Sequence, residues 1–140
     1  MWQQSSLETV VVAVAAFGLL SCAAETGEAE SMVDGRLLEA EQGTFTATFE
    51  MNAPHKGLNP LTIEVFDGED EAVSGADMEI SPWMPGHGHG SLDTVAEEDE
   101  PGVYIASEVY FNMTGYWELH VAAAVEGEIV AKFVVPVQVR

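Results

Sequence analysis

The sequence predicts an all-β domain, a β-sandwich of about seven strands, over residues 43–140. Three observations support this prediction. Apolar and polar residues alternate in several short runs, turn-forming residues separate these runs at regular spacing, and no run shows the period of a helix. Hydrophobic residues make up 47% of the 140-residue chain, which suffices for the core of one such domain.

The first three predicted strands cover residues 43–51, 61–66 and 76–80. In the first, apolar side chains occupy every second position, from Phe45 to Met51. Residues 52–60 contain two Pro and one Gly and predict a loop, and Asp67-Gly68 predicts a turn. The acidic run at residues 97–100 is typical of a solvated loop.

The later strands cover residues 102–111, 117–121 and 129–139. In the first of these the apolar phase changes, because Tyr104 and Ala106 share one parity whereas Val109 and Phe111 share the other. A β-bulge near residues 107–108 would place all four on one face. Trp117 is the predicted largest member of the core.

Residues 99–104 resemble the Asp-x-Gly-x-Tyr segment of immunoglobulin-like folds, with one extra residue between Asp99 and Gly102. The resemblance implies an immunoglobulin-like sandwich in which the Tyr104 hydroxyl bonds back to the main chain as a tyrosine corner. Ala106 stands where an antibody domain has its second cysteine. The core is therefore expected to be held by packing alone.

The N-terminus predicts export. Residues 10–20 are uncharged and apolar, too short to span a bilayer but suited to a signal peptide. They end in Leu19-Leu20-Ser21-Cys22, which resembles the bacterial lipobox and implies cleavage before Cys22 and acylation of its thiol. Residues 1–9 lack the usual Lys or Arg, so an uncleaved apolar strand or helix is the alternative.

The predicted organisation is therefore a signal peptide at residues 1–21, an acidic flexible tether at residues 22–42 and the sandwich at residues 43–140. A short helical turn is compatible with residues 34–41. The expected location is the cell envelope, on a periplasmic or other extracytoplasmic face, with a lipid anchor at Cys22 as the membrane contact.

The charge of the chain restricts its partners. Four basic residues stand against 24 acidic ones, a formal net charge of −20. Nucleic acid is excluded as a partner because its recognition requires a basic surface. Cations and basic proteins remain possible partners, and a solvated acidic surface without a specific partner also fits.

Residues 81–90 contain two His, one Met, one Trp, two Pro and three Gly. His87 and His89 would face one side of an extended segment, about 7 Å apart. With the thioether of Met84, and Met113 from a distant turn, they form a donor set that favours copper. The alternative is a mobile loop in which Met84 packs on Trp83.

Three motifs resemble the YtkA-like domain of bacterial cell-envelope proteins. They are Asp67-Gly68 followed by Val73-Ser74-Gly75-Ala76, Met84-Pro85 before the His and Gly run, and Gly102-x-Tyr104 leading to Phe111-x-Met113-x-Gly115-x-Trp117-x-Leu119. The resemblance covers about residues 44–139. It implies an exported or membrane-tethered immunoglobulin-like sandwich, associated with copper handling and oxidase assembly and without enzyme activity.

The predicted function is that of an envelope lipoprotein whose sandwich binds copper through Met84, His87, His89 and Met113, for handling or delivery. Catalysis is not expected, because no nucleophile with a base and an orienting group stands beside the His pair. The alternative function is a metal-free immunoglobulin-like module that docks a membrane or envelope protein.

Overall fold

The computed structural model describes residues 37–42 and 44–140, and this part of the chain is all-β, as predicted. Its nine strands are β1 (Leu37–Gln42), β2 (Phe45–Glu50), β3 (Gly57–Phe66), β4 (Asp77–Met84), β5 (His89–Gly90), β6 (Thr94–Glu100), β7 (Val103–Phe111), β8 (Gly115–Val125) and β9 (Glu128–Val139). Within these residues no helix has the length and apolar character needed to cross a membrane.

All strand pairs are antiparallel, and they follow the order β1-β2-β3-β7-β6-β4-β8-β9, with β5 attached to β4. Strand β6 passes from one layer to the other. Its first half pairs with β4 and its second half with β7, so the two layers of the sandwich share this strand. Strands β1 and β9, at the two ends of the order, also contact each other.

The core lies between the layers and follows the alternation of the sequence. Trp117 is the largest fully buried side chain, as predicted. Its ring lies 5.2 Å from that of Phe111, and the rings of Phe49 and Phe133 meet edge to face at 5.6 Å. Such pairs add about 0.5–1.5 kcal/mol each to the free energy gained from burial.

The β-bulge predicted in the 102–111 strand is confirmed. In the β3–β7 pairing Asn59 faces Val109 and Leu61 faces Ala106, so residues 107 and 108 stand opposite Pro60 alone. The extra residue shifts the parity of β7. As a result Tyr104 and Ala106, before the bulge, are as fully buried as Val109 and Phe111 after it.

The Tyr104 hydroxyl bonds to the main chain as expected, but to a different segment. It donates to the Val73 carbonyl at 2.6 Å and accepts from the Ala76 amide at 3.0 Å. A tyrosine corner would bond a few residues upstream, so that part of the prediction is wrong. The bonds tie the turn before β4 to the core, and burial raises the pKa of Tyr104.

The carboxylate of Glu98 holds the same turn from the outside. It accepts bonds from the Ser74 hydroxyl at 2.6 Å, the Gly75 amide at 3.0 Å and the Gly102 amide at 3.1 Å. These three donors favour the charged form and lower the pKa of Glu98.

Two boundary predictions are wrong. The predicted tether ends too late, because β1 (Leu37–Gln42) pairs with β2 along its whole length, and the helical turn is replaced there by strand. The acidic run at residues 97–100 belongs to β6. In both cases pairing with the main-chain N–H and C=O groups of a neighbouring strand selects a strand, although the composition is acidic and residues 97–100 show no alternation. Residues 1–36, including Cys22, lie outside the described part.

Candidate metal centre

The His-rich stretch is a tight β-hairpin. Strand β4 continues to Met84, a turn covers residues 85–88, and β5 returns along β4. The Met84 carbonyl accepts the amides of His87 at 3.1 Å and Gly88 at 3.0 Å, and the Pro82 carbonyl accepts the amide of Ser91 at 3.0 Å. These bonds define the course of the segment as a hairpin.

Two glycines permit this hairpin. Gly88 has a φ of +67°, a conformation that side chains other than glycine rarely adopt. A Cβ on Gly90 would lie 2.7 Å from the Pro82 oxygen and 3.3 Å from Cε3 of Trp83. Glycine is therefore required at residue 90 for the close approach of β5 to β4.

The hairpin brings Met84 and His89 together. They are direct partners across the β4–β5 pair, and side chains at such positions project from the same face. Met84 is buried, with 4% of its surface exposed, and His89 is half-buried. The ring of His87, which is exposed, lies 5.8 Å from that of His89, centroid to centroid. Three of the four predicted ligands thus belong to one cluster.

Trp117 forms the floor under this cluster. Its ring meets that of His89 edge to face, with centroids 6.1 Å apart and planes at 74°. Its Nε1 donates to the Met113 carbonyl at 3.0 Å. The indole therefore links the hairpin to the turn between β7 and β8, and places the main chain of Met113 at the same end of the sandwich. The Met113 side chain is 36% exposed.

Gly115 shapes the space around Met84. It begins β8 with a φ of +128°, and a Cβ at this position would lie 2.8 Å from Cε of Met84. The thioether of Met84 therefore lies against the turn that carries Met113. The sequence placed Trp117 in the core and both residues in a family motif, but it assigned neither to the metal site, since neither carries a donor side chain that suggests metal binding.

The other two histidines lie apart from the cluster. His120 is exposed on the outer face of β8, where its Nε2 lies 3.1 Å from the carboxylate of Glu118. It faces away from Trp117, because residues 117 and 120 have opposite parity on the strand. His55 is exposed in the loop before β3, with its Nδ1 3.2 Å from the Ala53 carbonyl.

The donor set at the hairpin is two imidazoles and at least one thioether. In the described part of the chain no three His, Cys, Asp or Glu side chains come together as a metal site. The candidate centre therefore depends on sulfur from methionine. Imidazole and thioether are the ligands that suit copper, and thioether in particular suits Cu(I).

The sequence model of the YtkA-like family matches residues 38–122, more than half of the chain. This protein belongs to the YtkA-like family. The match extends from β1 into β8 and includes the hairpin, the Met113 turn and Trp117. No curated protein and no solved structure matches the chain.

Proposed function

We propose that this YtkA-like protein is an exported cell-envelope lipoprotein that binds copper through its β4–β5 hairpin and handles or delivers the ion. The observation that carries the proposal is the pairing of Met84 with His89, which puts a thioether and an imidazole on one face. His87, with its ring 5.8 Å away, supplies the second imidazole.

The burial of the ligands supports transfer of the ion. Met84 is buried against Gly115, whereas His87 is exposed at the tip of the hairpin. An ion held between them would lie at the rim of the sandwich, within reach of an acceptor. Met113, exposed in the neighbouring turn, is the proposed additional ligand during capture or release. The net charge of −20 attracts cations to the surface in general.

The test is a competition titration of the full chain with Cu(I) against a chromogenic chelator. His87→Ala/His89→Ala should weaken binding by about a hundredfold or more, since metal affinity depends on each ligand. His55→Ala/His120→Ala is the matched control, because it removes two exposed histidines outside the cluster. Equal loss in both double variants, or no loss in the first, would refute the hairpin site.

Export and anchoring are proposed from the lipobox-like Leu19-Leu20-Ser21-Cys22. The expected product begins at Cys22 and carries acyl chains there. Expression in a bacterium with labelled palmitate should label the wild-type chain and leave Cys22→Ser unlabelled. Label in the variant would exclude Cys22 as the acylated residue.

A role as a metal-free interaction module is the second candidate. The observation that favours it is an acidic, partly apolar groove on the outer face of the sheet, on the side of β4 opposite to Met84. This candidate requires no metal and no catalytic group.

A further inference from the structure

The groove crosses the outer face of β6, β4, β8 and β9 and has a volume of about 540 Å³. It lies on the opposite face of β4 from the core. Asp77 and Glu79 point outward into the groove, whereas Met78 and Ile80 of the same strand are buried. None of the residues that line the groove belongs to the hairpin cluster.

Small residues on β8 produce the depression. Ala122 pairs with Glu79, and Ala124 pairs with Asp77 on one side and Ile129 on the other. The short alanine side chains lie between taller neighbours and form the floor of the groove. Ile129 is 58% exposed and Val95, across Glu79 on β6, is 61% exposed. The groove thus offers apolar surface to a ligand.

The rim of the groove is acidic. Asp77, Glu79, Glu97 and Glu98 line it, and no Lys or Arg does. Among the described residues none of these four carboxylates forms a salt bridge. A ligand that brings positive charge would therefore gain attraction along this rim. Lys132, which pairs with Ala122 and lines the adjoining depression, is the basic residue next to the groove.

We propose that this groove docks a segment of a partner protein in which aliphatic residues alternate with Lys or Arg. The aliphatic side chains, and the stems of the basic ones, would lie on the alanine floor between Val95 and Ile129. The charged ends would meet the carboxylates of Glu79 and Glu97. Four strands span about 14 Å, and an open groove of that width suits an extended chain better than an enclosed small molecule.

The charge distribution disfavours other occupants. A second copy of the chain carries the same net charge of −20, with only Arg36, Lys56, Lys132 and Arg140 as basic residues. The chain's own residues 1–36 contain five acidic residues and Arg36 as their one base. Anionic lipid would be repelled by the same rim.

The test uses the full chain and a fluorescein-labelled peptide of alternating Lys and Val, about ten residues long, followed by fluorescence anisotropy. The Lys peptide should bind and a matched peptide of alternating Glu and Val should not. Glu79→Gln/Glu97→Gln should weaken binding by about tenfold or more. Ala122→Arg, which fills the floor and adds positive charge, should also weaken it. Thermal unfolding checks that both variants are folded.

The control is Glu50→Gln/Glu69→Gln, which removes two exposed carboxylates that do not line the groove. It should change the affinity by less than about twofold. If both double variants lost the same peptide affinity, the total negative charge of the protein would explain the binding, and the proposal would be overturned. Binding of hexylammonium with the same affinity as the Lys peptide would also overturn the proposal, because it would indicate a site for small cations. A dimer that is seen in sedimentation and disrupted by Ala122→Arg would overturn it as well, because the groove would then bind a second copy of the chain. None of these peptide-binding outcomes depends on copper, so the docking proposal and the copper proposal can fail separately.

Discussion

Gly115→Ala should weaken copper binding through Met84 while leaving the protein folded. A Cβ at residue 115 would lie 2.8 Å from Cε of Met84, closer than the 3.0 Å that real Cβ atoms respect. Because Cε is the free end of a flexible side chain, Met84 should rotate away rather than push the strands apart. Its sulfur would then leave the position opposite His89.

Gly115→Ala should change both the stability and the copper affinity of the protein. Alanine at a φ of +128° costs about 1–3 kcal/mol of backbone strain. A loss of about 2 kcal/mol would lower the Tm by about 10 °C in a domain of this size. Because the substitution of a supporting residue would displace one ligand, the thioether of Met84, it should reduce copper affinity by about 10–100-fold.

The assay pairs thermal unfolding with the Cu(I) competition titration. Gly127→Ala is the control, because Gly127 has a φ of +83° with no atom within 4 Å of its Cβ position. It should lose stability and keep its copper affinity. In a Met84→Leu background, where the thioether is absent, Gly115→Ala should have no further effect on affinity.

Two results would refute the reasoning. One is a loss of affinity on Gly115→Ala that persists undiminished in the Met84→Leu background, because the effect would then not pass through the thioether. The other is a comparable loss in Gly127→Ala, which would show that backbone strain anywhere in the sandwich disturbs the site.

Three other predictions concern the turn before β4 and the outer face. Tyr104→Phe removes a buried hydroxyl with two main-chain partners and should lower the free energy of unfolding by about 2–3 kcal/mol in urea, with Tyr110→Phe nearly neutral. The folded-state pKa of Glu98 lies below its ordinary 4.5, so its stabilising effect is present above that pH and is lost as the pH falls through the lower value. The stability advantage of wild type over Glu98→Gln should therefore shrink below about pH 4.5 and stay constant from about pH 6 to 8. His120→Ala should leave Cu(I) affinity unchanged in the same titration, because His120 lies on the outer face.

The regular strands were predictable because one face of each is buried, and burial imposes alternation on the sequence. The same rule located the bulge in β7, since only an extra residue reconciles Ala106 with Val109. Strands β1 and β6 were not predictable in this way. In β1 the alternation of Leu38 and Ala40 with Glu39 and Glu41 is short and its composition is that of a tether, whereas residues 97–100 of β6 do not alternate at all. Main-chain pairing with β2, and with β4 and β7, selects their conformation.

For the candidate site, the sequence determined the donor types, since it shows His87, His89, Met84 and Met113 directly. It also determined the family to which the chain belongs. Only the tertiary structure decided which donors meet. The β4–β5 register sets Met84 opposite His89, and Trp117 joins the hairpin to the turn of Met113. The physical reason is that the register of the hairpin is set by the conformation of its turn, and its meeting with the Met113 turn by the burial of Trp117 among segments far apart in the chain, which local composition does not encode.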